Sequence, residues 1–204
     1  MSPLPKAALH FFLAVLLTGL LGADWRLALL TALACVLAFP PAAWRPVAWL
    51  RVFRCYGVWL VVWLAFAAAY LRVMAAVGSP VQPQEQLVAL ASGGASLPDF
   101  WLRAILIVCV APLVEEVIFR GYLFSALERV APAWSVQLVV ATLFGLAHGL
   151  DHALPIGVLS LLFGHLRANH GALSPSIVAH ALHNAVTVSL ILTWPELLDL
   201  LYVR

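Results

Sequence analysis

Residues 101–124 read WLRAILIVCVAPLVEEVIFRGYLF, and they decide what kind of protein this chain forms. The stretch is long enough to cross a membrane, because a helical span needs about 20 mainly apolar residues. It nevertheless contains two adjacent carboxylates, Glu115 and Glu116, with Arg120 one helical turn later. An ionisable residue at the centre of a span costs ~2.5–3.5 kcal/mol on insertion scales. The stretch therefore predicts a functional site inside a membrane.

The composition of the whole chain also indicates a membrane protein. Of its 204 residues, 64% are hydrophobic and 10% are charged. Soluble domains are about half apolar and about a quarter charged. No stretch is polar enough to form a separate soluble domain. We therefore expect one integral membrane domain over residues 1–204, an all-α polytopic bundle of transmembrane helices.

Apolar runs predict about seven spans in this bundle, within a range of six to eight. The segment 84–97 is more polar and is expected to form an interfacial helix and a loop. We expect N-terminal spans and this loop over residues 1–99, followed by a catalytic helical core over residues 100–194. The predicted spans are 7–23, 27–43, 55–77, 101–124, 134–150, 153–167 and 174–194.

The charged residues and cysteines exclude several classes of protein. The chain has 11 Lys and Arg against 9 Asp and Glu, and its basic residues are scattered, so no nucleic-acid-binding patch is predicted. Cys35, Cys55 and Cys109 lie far apart in apolar sequence. This arrangement fits neither a disulfide framework nor a cysteine-bound metal, and no cofactor is expected.

The distribution of arginine predicts an orientation in the membrane. Arg45, Arg51 and Arg54 crowd one loop, which the positive-inside rule places in the cytoplasm. Counting spans from there also places Arg129 and Arg167 inside. The same count places four acidic residues outside, namely Asp24, Glu85, Asp99 and Asp151. Two basic residues, Arg72 and Arg103, also fall near the outside, against the rule. Such a multi-pass protein would lie in the inner (cytoplasmic) membrane of a bacterium or in the endoplasmic reticulum of a eukaryote. The compact loops favour a prokaryotic source and hence the bacterial inner membrane.

The first motif is the Glu-Glu-x-x-x-Arg-Gly sequence at residues 115–121. A carboxylate in an environment of low dielectric constant is suited to act as a general base. Glu116 and Arg120 are four residues apart on one helical face, in the favourable order for an ion pair. Neighbouring carboxylates in opposed environments can take separate acid and base roles. The alternative is a buried Glu–Arg pair that only holds helices together.

Two later motifs each contain a histidine in apolar sequence. Phe144 and His148 are four residues apart, so the aromatic ring can pack beneath the imidazole. His180 and Asn184 have the same spacing and can direct two donors at one point, as an oxyanion hole requires. His183 lies about 60° around the helix from His180 and is expected to play a supporting role. The alternatives are a satisfied core histidine and hydrogen bonding between helices in lipid.

At these residues the chain resembles the CPBP family, which comprises CAAX-prenyl endopeptidases and bacteriocin-processing-type glutamic intramembrane proteases. Three motifs carry the resemblance, in the family's order and within about residues 100–187. They are Glu-Glu-x-x-x-Arg-Gly at 115–121, Phe-x-x-x-His at 144–148 and His-x-x-x-Asn at 180–184.

The resemblance implies hydrolysis of a peptide bond within the membrane, without a metal. Glu115 and His148 would then activate a water molecule, while His180 and Asn184 would stabilise the tetrahedral oxyanion. Glu116 and Arg120 would maintain the geometry and charge of the site. The implied partner is a membrane-associated protein or peptide, cleaved in its C-terminal tail. Family members process prenylated proteins, peptide precursors or proteins with a sorting signal.

Two other functions compete with this interpretation. An intramembrane metalloprotease would take ligands from Glu115, His148, His152, His180 and His183, although the chain has no His-Glu-x-x-His motif. A non-enzymatic membrane protein would be an immunity or scaffold protein, or a proton-coupled carrier. The carrier predicts internal repeats, and the sequence has none.

Overall fold

The computed structural model describes residues 47–91 and 97–202, together with the single positions 30, 34 and 44. Within these residues the chain forms seven helices and no strand. The predicted all-α class is therefore confirmed. The helices are α1 (Trp49–Ala76), α2 (Glu85–Ala91), α3 (97–127), α4 (Ala133–Leu146), α5 (Leu150–His170), α6 (Ser174–Thr193) and α7 (Leu197–Leu201).

Five of the predicted spans lie on α1, α3, α4, α5 and α6, and 7–23 and 27–43 lie outside the described residues. By length and composition, two described helices can cross a membrane, namely α1 and α6. The apolar helices fit a membrane protein, and the number of about seven spans stays a prediction. The division into an N-terminal part and a catalytic core also stays a prediction.

The ends of two helices differ from the predicted spans for local reasons. Helix α1 begins six residues before the predicted span. Arg51 and Arg54, which we expected in a loop, lie on its first turns, and the helix can include them because their side chains are exposed. Helix α4 ends at Leu146, four residues early, because the chain turns sharply at Gly149. Gly149 has a φ of 90°, a conformation that glycine adopts at little cost.

Helix α3 changes its winding twice around the Glu-Glu pair. Residues Leu106–Val110 and Val117–Phe124 are π-helical, and the α-helical segment Ala111–Glu116 lies between them. In the first π turn, the Ala111 N–H bonds to the carbonyl of Leu106, five residues earlier. Such turns are rare in proteins, and many of those that occur lie at functional sites.

Small residues bring α4 and α5 into close antiparallel contact. A Cβ atom added at Gly145 would lie 2.1 Å from the carbonyl oxygen of Ala153, and one at Gly157 would lie 3.3 Å from that of Ala141. Small residues permit such backbone approach, which is how helices associate within lipid. This contact fixes the end of α4 from which His148 extends.

Helix α1 packs antiparallel to α5 on the other side. Trp63 donates a hydrogen bond from Nε1 to the carbonyl oxygen of Pro155 at 2.8 Å, and the Tyr70 hydroxyl donates to that of Asp151 at 2.9 Å. Nearer the start of α1, Val52 and Tyr56 are buried against the C-terminal half of α5. Helix α5 is thus central, with α1 on one side and α4 on another.

Candidate active site

The two adjacent glutamates point into different environments. Glu116 is fully buried, whereas the side chain of Glu115 is 27% exposed. Consecutive residues on a helix lie about 100° apart around its axis, so one can face the core while the other faces a partly open side. This difference leaves one carboxylate enclosed by the protein and the other on a partly open side.

Arg120 connects the buried glutamate to α5. Its Nη1 atom donates to Glu116 Oε1 at 3.0 Å, and its Nη2 atom donates to the carbonyl oxygen of Ser160 at 2.9 Å and to the Ser160 hydroxyl. The guanidinium also lies over the ring of Phe144, 4.5 Å from its centroid. Arg120 is completely buried, so these contacts replace the solvation that its charge loses.

The structure fixes which nitrogen of His148 carries a proton. His148 lies in the turn after α4, and its Nδ1 atom is 2.7 Å from the carbonyl oxygen of Phe144. A carbonyl can only accept, so Nδ1 is the donor. Nε2 therefore has a free lone pair in the neutral ring, and it faces Glu115 Oε2 at 3.7 Å. The His148 side chain is 24% exposed.

His180 approaches both glutamates with its two nitrogens. Its Nδ1 atom lies 3.1 Å from Glu116 Oε1, and its Nε2 atom lies 3.8 Å from Glu115 Oε2. The ring stacks on Phe163, with 4.6 Å between centroids and 18° between planes. An ionised carboxylate can only accept, so Nδ1 of His180 donates its proton to Glu116 Oε1, the same oxygen that binds Arg120.

Asn184 binds the backbone at the first π turn of α3. Its Nδ2 atom donates to the carbonyl oxygen of Ile107 at 2.8 Å. That carbonyl has no partner in its own helix, because the Ala111 N–H bonds to Leu106 and Pro112 has no N–H. One N–H of the Asn184 amide is therefore occupied, and the second is free for another acceptor.

The structure brings together Glu115, Glu116, Arg120, His148 and His180, and it places Asn184 one turn along α6 from His180. Two histidines that could have been metal ligands have aromatic rings as neighbours. His183 packs edge-on against Trp63 at 4.6 Å, and His152 lies 6.5 Å from the ring of Tyr202. No group of three His, Cys, Asp or Glu side chains in the described parts of the chain is placed to hold a metal ion.

Sequence reasoning missed two residues of this site, Ser160 and Phe163. Both lie on α5, in a helix with no motif of its own, and both are almost completely buried. Their spacing of three residues puts them on one helical face, which is the only signal that the sequence offered. Their contacts with Arg120 and His180 depend on how α5 packs between α3 and α6.

Residues 97–186 match the family model described as type II CAAX prenyl endopeptidase Rce1-like. No curated protein and no solved structure matches the chain. The matched segment begins at the first residue of α3 and includes all six candidate residues. The resemblance predicted over about residues 100–187 is therefore confirmed. Over residues 97–186 the chain is thus similar to the Rce1-like type II CAAX prenyl endopeptidases, in agreement with the CAAX protease family that the three motifs indicate.

Proposed function

We propose that this protein is a metal-independent glutamic intramembrane endopeptidase that uses a water molecule activated by Glu115 and His148. The family supports an intramembrane endopeptidase that acts on membrane-associated peptides or proteins. One observation carries the finer proposal. The Nε2 atoms of His148 and His180 both face Glu115 Oε2, at 3.7 and 3.8 Å.

In the proposed reaction, Glu115 takes a proton from a water molecule that also binds His148 Nε2. The resulting hydroxide attacks the carbonyl carbon of the scissile peptide bond and forms a tetrahedral oxyanion. Collapse of this intermediate breaks the C–N bond, and the proton held by Glu115 passes to the leaving nitrogen. A base must lie within reach of the proton that it takes, and the partly open position of Glu115 supports this role.

His180 and the second N–H of Asn184 would stabilise the oxyanion. Because His180 Nδ1 already donates to Glu116, the ring can donate to an oxyanion only from Nε2, and it must then carry both protons. Glu116 and Arg120 would keep His180 in place and balance its charge.

The substrate and compartment are also part of the proposal. We propose that the enzyme cleaves the C-terminal tail of a membrane-associated protein in the bacterial inner membrane. Both points rest on the family resemblance and on the apolar helices with compact loops.

Glu115→Gln tests the proposed function, because the amide keeps the shape of the side chain but cannot take a proton from water. We expect membranes that contain the wild-type chain to accumulate new peptide termini, which Glu115→Gln membranes lack. Quantitative mass spectrometry of peptide termini measures this difference even when the substrate is unidentified. His170→Asn, a change outside the cluster, is the matched control and should leave the cleavage pattern unchanged. Equal cleavage by the wild-type chain and Glu115→Gln would exclude the proposed base.

An intramembrane metalloprotease is the competing candidate, although no three His, Cys, Asp or Glu side chains among the described residues are placed to hold a metal ion. The same membranes incubated with EDTA separate the two. We expect the wild-type cleavage pattern to persist in the chelator, and its loss, with recovery on addition of zinc, would favour the metalloprotease. Absence of any cleavage by the wild-type chain would favour an immunity or scaffold protein.

A further inference from the structure

Helix α5 presents a buried face toward the site, and no motif of the chain accounts for it. Ser160 and Phe163 share this face, and their side chains are 1% and 0% exposed. Ser160 accepts two hydrogen bonds from Arg120, one at its carbonyl oxygen and one at its hydroxyl. Phe163 stacks on His180. We propose that Ser160 and Phe163 are positioning residues that fix the orientation of His180 for the reaction, an inference that rests on the proposed function.

A continuous chain of hydrogen bonds leads from Ser160 to His180. Ser160 holds Nη2 of Arg120, and Nη1 of the same guanidinium binds Glu116 Oε1 at 3.0 Å. That oxygen accepts the Nδ1 proton of His180 at 3.1 Å. Each group is buried, so none of these bonds competes with bulk water. The position of Ser160 is thereby transmitted to the imidazole of His180 through fixed geometry.

Phe163 restrains the same ring by stacking on it. A histidine ring can turn over about its Cβ–Cγ bond, which would put Cδ2 in the place of Nδ1 and Cε1 in the place of Nε2. With planes 18° apart and centroids at 4.6 Å, Phe163 covers one face of His180, and Phe144 lies edge-on to it at 5.7 Å. These contacts resist the turn and keep Nε2 directed at Glu115.

Phe163 also suits a ring that becomes positively charged. The face of an aromatic ring attracts cations within about 6 Å of its centroid. The Arg120 guanidinium carbon already lies 5.4 Å from the Phe163 centroid, and His180 stacks on the same ring. When His180 carries both protons, Phe163 stabilises its charge in a place where solvent is excluded. An aliphatic side chain of similar volume would fill the space without this effect.

The test compares Phe163→Leu and Phe163→Tyr in the full-length protein in nanodiscs. Cleavage is followed on a peptide that spans a terminus produced by the wild-type enzyme. We expect Phe163→Leu to lower kcat by roughly 10²-fold with KM almost unchanged, since small misplacements of a catalytic group have effects of that order. Phe163→Tyr retains a ring and should recover most of the rate. Phe124→Leu removes an equally buried ring away from His180 and should change neither constant.

A second readout does not depend on activity. In protein labelled with ¹⁵N-histidine, we expect the wild-type chain and Phe163→Tyr to show a slowly exchanging Nδ1 proton on His180. Phe163→Leu should lose this signal, and Ser160→Ala should weaken it, because Nη2 of Arg120 then keeps only the backbone carbonyl of residue 160 as a partner on α5. The same His180 signal in Phe163→Leu as in the wild type would overturn the inference. A wild-type chain with the ordered ring but no cleavage would instead refute the proposed function.

Discussion

Arg120 shows how a single charged residue is accommodated in an apolar helix. It is fully buried, and it binds a carboxylate on its own helix and both a carbonyl and a hydroxyl on α5. Arginine suits this position because its planar guanidinium presents several donors in a fixed geometry, whereas lysine is a single flexible point charge. At the residue scale, the site is therefore also a connection between helices.

Arg120→Ala should destabilise the protein as well as abolish cleavage. It leaves the buried carboxylate of Glu116 without its cation, and breaking a buried pair costs about 3–5 kcal/mol. Thermal unfolding in detergent should show a clearly lower Tm, and Arg120→Lys should recover only part of the loss. Arg129→Ala, at an exposed arginine, serves as the control and should melt like the wild type. An unchanged Tm for Arg120→Ala would mean that the pair contributes nothing to stability.

At the scale of elements, the glycines between α4 and α5 determine where His148 lies. Gly145 is three residues before His148 and faces the backbone of α5. The first π turn of α3 acts in a similar way on Asn184, because it frees the carbonyl that the amide binds. In both cases a local feature of a helix sets the position of a candidate side chain: Gly145 on α4 positions His148, and the π turn of α3 positions Asn184 of α6.

Gly145→Ala should force α4 and α5 apart. The added Cβ would lie 2.1 Å from a backbone oxygen, and backbone cannot move aside as a flexible side chain can. Overpacking of this kind typically costs about 1–3 kcal/mol, so both the Tm and the cleavage rate should fall. Gly57→Ala on α1 is the matched control, since a Cβ there meets no atom within 4 Å. An equal loss in the two variants would contradict the proposed role of the α4–α5 contact.

At the scale of the whole molecule, charges separate toward the two ends of the bundle. The start of α1 and the C-terminal ends of α3 and α5 lie together at one end of the bundle. Helices α1 and α4 both run antiparallel to α5, and Arg167 near the end of α5 contacts Ser125 near the end of α3. This end contains Arg51, Arg54, Arg129 and Arg167, with Glu128 against Arg167. Asp151 and α7 lie at the opposite end, where Tyr70 and Arg72 of α1 contact them.

The positive-inside rule therefore predicts that the end with these arginines faces the cytoplasm. Two single-cysteine variants, Arg129→Cys and Glu196→Cys, test this prediction in a chain whose three native cysteines are changed to serine. A membrane-impermeant maleimide applied to intact cells should label position 196 at once and position 129 only after permeabilisation. The reverse pattern would show that the chain inserts with the opposite orientation.

Local patterns in the sequence were sufficient for the helical class and for the residues of the three motifs. Long apolar runs specify helices in a membrane, since the backbone must satisfy its own hydrogen bonds there. The spacing of four residues predicted the pairing of Glu116 with Arg120, and the structure has it at 3.0 Å. Helix ends were less predictable, because exposed arginines extend α1 and Gly149 ends α4 early.

The sequence by itself determined which residues are candidates for the chemistry, because a buried charge in an apolar segment is too costly to be incidental. Only the tertiary structure decided which of these residues contact one another. It directs Glu116 to Arg120 and His180, and Glu115 to the two Nε2 atoms, and it brings in Ser160 and Phe163 from a helix without a motif. The reason is physical: contacts between helices depend on their packing and winding, and spacing along one helix carries no information about which residues of another helix it will meet.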